Sequence, residues 1–561
     1  MEKKIPNYKY TERLSALKVE QSSWVEHWRD ISKHILPRSG RFDVTDRNKG
    51  DKRHNLIYDS TATKCLRILS AGLMSGMSSP ARPWFRLSVA DPTLLKDHAV
   101  KVWLSETTEI MRSIIAKSNI YRMLQNFYEE LPTFGTAGAI IDKDFETVVH
   151  GQFLTIGQYY ISQNHKGKVD TMFREFDMKV HQLVTQFGYE NCTRSVQDLH
   201  DRGSLDSWVT VVHLIEPRID RDPTKSDAKN MPFKNIYFER GRENEKLLLE
   251  SGHKIFRGIF PRWHVSGGDV YGGACPGMEA LGDIHQLQHE QLRKGQAIDY
   301  KLRPPMQAPA SMKNHELSIF PGETSFIDTA SGGAKTLFEV NIDLQHLLID
   351  IQDVRERIRA AFYADIMLQF ASQDMGRMTA AEVAQRHEEK LLMIGPVMER
   401  MHNELHSEII EIIFHDMLEA NLVPPPPESM QGMDLNIEFV SMMAQAQKAV
   451  STNSIDRFLG TVTNLAQIKP TAVQKINEDK IVDLYADALG LDPSALYGDE
   501  EVALVRKKMA QAQEQAQKAA AMNQGADTLQ KLSNANTQDK NALTDVTKMF
   551  SGYSTPQGGQ G

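Results

Sequence analysis

Four histidines in one helix-patterned stretch, His387, His402, His406 and His415, have the residue type and spacing best suited to chemistry in this chain. His402 and His406 stand four apart and share a helix face, the spacing at which two imidazoles can hold a zinc ion. The order is H-N-E-L-H, however, not H-E-x-x-H, so the glutamate is not where a metal-bound water needs a base. H-E-E-K-L at 387 lacks the second histidine. Surface or packing roles are expected for all four, and no metal ligand is assigned. Glycines from Gly267 to Gly277 invite a phosphate-loop reading, and Gly272 and Gly277 have the right spacing. Met278 and Glu279 follow where the loop requires Lys and Ser or Thr, so a tight turn feeding a helix is expected instead. SGMSS at 75–79 and GTAGA at 135–139 do not match the nucleophile elbow G-x-S-x-G. Carboxylate pairs such as Glu388 with Glu389 or Asp350 with Asp353 suit solvated helix faces better than acid/base dyads. No catalytic residue and no cofactor is assigned.

Two helix-like segments, Glu279–Tyr300 and Asp343–Phe362, flank an excursion rich in proline and β-branched residues. In the second, Leu344, Leu347, Ile351, Val354, Ile358 and Ala361 recur at steps of three and four, forming one narrow apolar seam. Pairing two such helices within one chain covers one side of each, so the seam is expected to be a subunit interface that closes a ring. On the first segment Leu281, Ile284, Leu287, Leu292 and Ile298 fall within an arc of about 140°. Phe370–Met378 has no period and contains a glycine, so a loop is expected there. Thr379 and Glu382 in T-A-A-E then form a capping box that starts a long helix through Met417, kinked at Pro396.

Before these segments, from Tyr10 to Leu36, Leu14, Leu17, Trp24, Trp28, Ile31 and Ile35 keep a helical period that ends before Pro37. Ser60–Met74 and Val100–Leu131 are also helix-like, which predicts an all-helical opening. Asp59 or Ser60 can cap the first of these. From Ala139 to Val265, β-branched and aromatic runs alternate with turns, predicting a β-rich layer packed on helices. The fold class is therefore α+β, mainly helical, and not a doubly wound sheet. Several helices are expected from Met430 to Met522, with a disordered polar tail beyond Asn523.

The chain has 561 residues, 41% of them hydrophobic and 25% charged, and a formal net charge of -8 with pI near 6.2. That balance argues against gripping nucleic acid over the entire surface. Cys65, Cys192 and Cys275 form no CxxC pair, which fits a reducing compartment and neither a disulfide framework nor a zinc knuckle. No apolar run follows the basic N-terminal residues and none approaches the length of a membrane span, so neither a secretory signal nor a membrane segment is expected.

Three stretches carry a resemblance: IYDSTATKCLRILSAGLMSGMSSPARPWFRL, GDVYGGACPGMEALGDIHQLQ and RMTAAEV, in that order. Together they resemble the head-to-tail connector, or portal, family of short-tailed bacteriophages. The resemblance implies a ring of subunits, usually twelve, at one capsid vertex, through which double-stranded DNA is packaged and later ejected. It implies residues 1–278 as wing, 279–300 and 343–366 as stem, 301–342 as clip and 367–378 as tunnel loop. Residues 379–429 would be a long kinked helix of the wing, 430–522 the crown and 523–561 a tail. Gln373, Asp374, Met375, Gly376, Arg377 and Met378 would line the DNA channel, with Arg377 the expected phosphate contact. Arg355, Arg357 and Arg359 are expected to pair with acidic groups of a neighbouring stem, with DNA phosphate contact as the alternative. The implied partners are other copies of the chain, the large terminase, a tail adaptor, and the major capsid and scaffolding proteins. The implied place is the virion, after assembly in the host cytoplasm. A virion-associated enzyme acting on DNA or cell wall is the alternative, and the missing nucleotide, metal and nucleophile motifs count against it.

Overall fold

The computed structural model describes residues 8–302 apart from loop positions 44–49, 51–52, 90, 92–93, 95–96, 226 and 243–245. It also describes 306–307, 335–336, 344–371, 394–430, 435–439, 462, 480–482 and 502–518. Residues 1–491 form one compact unit and 492–561 a second, within which 502–518 are helical.

The opening helices are α1 (Tyr8–His34), α2 (Thr61–Met77), α3 (His98–Lys117) and α4 (Ile120–Phe134). The expected single helix over 100–131 is two, because Asn119 turns its amide outward. Its Nδ2 donates to Gly151 O at 2.7 Å and its Oδ1 accepts from Gly151 N at 2.8 Å. That two-way bond to a strand holds the chain extended at Ser118 and restarts the helix. The opening is not all-helical either. Strand β1 (Phe85–Val89) buries alternate residues and lies in a region expected to be helices and turns. Its antiparallel partner is β12 (Leu435–Phe439), with Phe85 opposite Phe439 and Val89 opposite Leu435. Residues 435–439 are thus a strand where helices were expected.

The β-rich layer lies where the residue pattern puts it. Strands β2 (Gly138–Asp144) and β3 (Val148–Leu154) join β9 (Gly258–Ile259) in the order β3-β2-β9. Strands β4 (Tyr159–Gln163), β5 (Val169–Lys179), β6 (Trp208–Pro217), β7 (Phe233–Glu239) and β8 (Leu247–His253) form a five-stranded antiparallel meander. Alternation along β6 and β7 sends Val211 and Tyr237 to one face, against α5 (Val180–Phe187) and α6 (Arg194–Asp201). It sends Val212, Leu214, Ile236 and Phe238 to the other, against Leu14 and Leu17 of α1. The larger core joins α1–α4, the smaller sheet, and the described helical residues within 276–287, 347–367 and 394–417, with Met430.

A short turn, α7 (Pro276–Glu279), leads into α8 (Leu281–Leu302), and α9 (Leu344–Ala361) returns beside it. Between them β10 (Met306–Gln307) pairs antiparallel with β11 (Lys335–Thr336), within the excursion rich in proline and β-branched residues. After α9 the chain breaks at Tyr363, whose φ of +52° lies in the left-handed region that non-glycine residues rarely adopt. It re-enters a helix, α10 (Ala364–Ala371). The loop expected from 367 therefore begins no earlier than 372. The long helix is described as α11 (residues 394–401), a π turn at His402–His406 and α12 (Ser407–Glu419). Pro396 lies inside α11, and the irregularity within the described run is the π turn.

Candidate functional site

Of the residues predicted to line a channel, Gln373, Asp374, Met375, Gly376, Arg377 and Met378 lie outside the described residues, as do Thr379 and Glu382. The site that can be built residue by residue is the root of the α8/α9 hairpin. At 1.5 Å per residue the 22 residues of α8 span roughly 33 Å, and their first half is what the body holds. Leu281, Ile284 and Leu287 are buried, whereas Ile298, Tyr300 and Leu302 are exposed. On α9 the order is reversed, as antiparallel pairing requires. Ile351, Val354, Ile358 and Phe362 are buried, while Leu348 and Ile349 are 47% and 67% exposed.

That burial corrects the predicted subunit interface. Ile351, Val354 and Ile358 are at most 1% exposed within a single chain, because α2 and α8 pack over that seam. Leu347 is half-buried, and Leu344 opens the helix. The period of the seam was legible, but at Ile351, Val354 and Ile358 its cover is this chain's own core. The arginines are corrected in the same way. Arg355 pairs with Asp59 at 2.7 Å, Arg357 with Asp283 at 3.5 Å and Arg359 with Asp365 at 2.6 Å, all within the chain.

Asp59 is the centre of the root. Its Oδ2 accepts from Arg355 Nη2 at 2.7 Å and Nε at 3.1 Å, and from Gln291 Nε2 at 3.0 Å. Its Oδ1 accepts from Thr61 N at 2.9 Å and Thr61 Oγ1 at 2.5 Å. Gln288 of α8 closes the knot: its Oε1 accepts from Tyr58 N and Asp59 N, and its Nε2 donates to Asp59 O at 2.9 Å. One carboxylate thus ties the start of α2 to both arms of the hairpin. Burial pushes its pKa up, but the Thr61 and Arg355 hydrogen bonds outweigh burial and hold it below the ordinary carboxylate value. Sequence reasoning assigned Asp59 only a capping role. Its place in the D-S-T stretch was the available signal.

The glycine-dense turn before α7 docks on the end of α4 as a structural joint. Gly135 has a φ of +78°, and a Cβ there would lie 2.4 Å from Gly272 O. A Cβ on Gly272 would lie 2.2 Å from Gly135 O, so two backbones meet where no side chain fits. Gly272 N donates to Thr136 Oγ1 at 2.7 Å. Buried Tyr271 accepts from Gln21 Nε2 and Ile161 N and stands edge-on to Trp28. Cys275 donates to Thr133 O, and burial pushes its thiol up to about 12, so it is unreactive.

D-S-T, Y-G-G and A-G-L each make a close contact of their own: Asp59 with both arms of the hairpin, Gly272 with Gly135, and Gly72 with α10. Gly72 of A-G-L packs against Met367 of α10 so closely that a Cβ would lie 2.5 Å from its sulfur. Residues 7–497 match the family described as bacteriophage head to tail connecting protein. The chain belongs to that family. A probable portal protein of Bordetella phage BPP-1 is 55% identical over 543 residues, 96% of this chain and 98% of the relative. The portal protein of Salmonella phage epsilon15 is 41% identical over 537 residues, 95% and 96% of the two chains. The solved neck of an empty gene transfer agent particle aligns with 80% of this chain and 97% of its own at 11% identity. Its TM-score is 0.35, too low to carry an argument. The function of this connector is that of a phage portal, and it is a component of the virion.

Two histidines of the connector's long helix, His402 and His406, pack. His406 is fully buried, with Nε2 2.8 Å from Tyr128 Oη and its ring beside Trp84 and Phe439. His402 stacks on Phe439 at 4.1 Å. Burial lowers the pKa of His402 to about 4 and that of His406 well below its ordinary value. His415 lies near Glu419, and His387 is outside the described residues. No described helix is long and apolar enough to cross a membrane.

Proposed function

We propose that the chain works as a closed ring of identical copies, twelve by family resemblance, around a channel of duplex width at one capsid vertex. The observation that carries this reading is the hairpin, pinned at its root through Asp59 and bare along its far half. Leu348 and Ile349 on α9, with Ile298, Tyr300 and Leu302 on α8, leave apolar area in water. Such area is covered at about 25 cal/mol per Å² when copies pack side by side. Genome enters through the channel during packaging and leaves it at ejection. Residues 301–342 dock the large terminase and then a tail adaptor, and residues 372–378 face the DNA. The crown begins after Phe439, because 435–439 belong to the body. The chain has no enzymatic role of its own, and the work of packaging belongs to the terminase. Major capsid and scaffolding proteins meet the ring during assembly in the host cytoplasm.

Light scattering and negative-stain images of the purified full-length chain test the reading. A ring with a central hole of duplex width is the expected result. Leu348→Asp with Ile349→Asp should leave folded protomers that no longer close. A wild-type chain that stays monomeric at every concentration overturns the proposal. Deleting Gln373–Arg377 should leave rings intact and lower DNA retention; loss of ring formation would show that the loop belongs to assembly instead.

A further inference from the structure

Where α1 passes the root of α8, two histidines and an aspartate meet. Asp30 and His34 are one turn apart on α1, and His285 lies near the start of α8. His285 Nε2 is 3.3 Å from Asp30 Oδ2, and the two imidazole rings are 4.4 Å apart between centroids. One donor atom from each of the three residues lies within 4.8 Å of the other two. We propose that Asp30, His34 and His285 bind one divalent transition-metal ion of the zinc class per chain.

A charge-assisted hydrogen bond between imidazole and carboxylate closes to about 2.7–2.9 Å. The 3.3 Å separation instead matches the edge of a tetrahedron whose metal–ligand bonds are about 2.0–2.1 Å. His34 Nδ1 lies 3.3 Å from Asp30 Oδ1, the same tetrahedral-edge separation, and 3.0 Å from the Asp30 backbone carbonyl oxygen. Two imidazoles and one carboxylate suit zinc, cobalt or nickel, whereas calcium and magnesium need oxygen ligands. Asp30 and His285 are 40% and 44% exposed at their side chains, so an ion can enter and water can complete the shell.

A second cluster, His415, Asp416 and Glu419, has similar spacing but a different charge balance. Both oxygens of Asp416 are taken by Arg257, and Glu419 pairs with Lys143 and Lys254. Three cations already neutralise it. Among the described residues, the ion pairs of Asp30 are to the two histidines. An ion bound there ties the N-terminal helix to the first arm of the hairpin.

The test uses the full-length chain after chelator treatment, titrated calorimetrically with Zn²⁺ and spectroscopically with Co²⁺. The expected result is one ion per chain, with the visible absorption of tetrahedral cobalt. His285→Ala and Asp30→Asn should each weaken binding at least about tenfold, since even outer-shell partners cost that much. His27→Ala, an exposed histidine of α1 outside the cluster, should bind as the parent does. All three positions are on helix surfaces, and circular dichroism checks that the variants keep their fold. No saturable binding at one ion per chain overturns the proposal. So does unchanged affinity in both cluster variants, or a loss in His27→Ala equal to theirs.

Discussion

Replacing Asp59 by Asn removes a charge and leaves its shape, while Arg355 keeps its own charge without a partner. Hydrogen bonds to charged groups contribute about 1.5–3 kcal/mol each, so Asp59→Asn should lower unfolding stability by about that amount, read by urea denaturation. Because its folded pKa is below the unfolded one, the contribution is full at neutral pH and is lost as pH falls through the lowered value. The buried histidines act in a higher window. His213 is held neutral mainly by burial, then by Arg174, which donates to its Nδ1 at 2.9 Å. Burial lowers His253 to about 3 and His402 to about 4, and lowers His406 well below its ordinary value. Unfolding lets each take up a proton near pH 6.5, so stability drops as pH falls below that value. Glu130 runs the other way. Burial raises it to about 7, so its contribution falls as pH rises from about 4.5 to 7. Melting temperature should decline between pH 6.5 and 5. His406→Phe fits the same aromatic surroundings, and Tyr128 keeps its bond to Ser78, so this variant should decline less steeply.

Helices whose apolar residues repeat locally were legible in the residue order. The bounds of α1, α2, α8 and α9 fall within about three residues of the periodic runs, because a helical period is a short-range signal. What the period omits is the identity of the surface that covers it, and so the α9 seam was assigned to a neighbour. Ile358→Ala should therefore behave as a core truncation, costing about 2–5 kcal/mol by thermal or chemical denaturation. The pairing of β1 with β12 was hidden because FRLSV and LNIEF are short and far apart in the chain. Asn119 gave no sign that its amide would reach for Gly151. The glycine joint is the reverse case, since the turn was read correctly but its contact partner was not. Gly272→Ala forces a Cβ to within 2.2 Å of a carbonyl oxygen. It should lower the melting temperature or soluble yield, whereas Gly282→Ala, with open space around it, should do neither.

Long-range ties hold the body together. Arg257 and Asp416 form a buried two-pronged pair at 2.5 and 2.6 Å, and Trp103 Nε1 donates to Pro424 O at 2.9 Å. Removing Asp416 with Ala leaves a buried guanidinium unmatched and should cost about 3–5 kcal/mol. The ladder between residues 85–89 and 435–439 has a further meaning for biosynthesis. A ribosome making this chain releases the first of these segments early and the second only after more than three hundred further residues. Until then Phe85–Val89 carries unmatched amides and carbonyls beside apolar side chains, an invitation to stray β-pairing with other nascent copies. Translation stopped at residue 429 should yield inclusion bodies, whereas stopping at 442 should restore much of the yield in the supernatant.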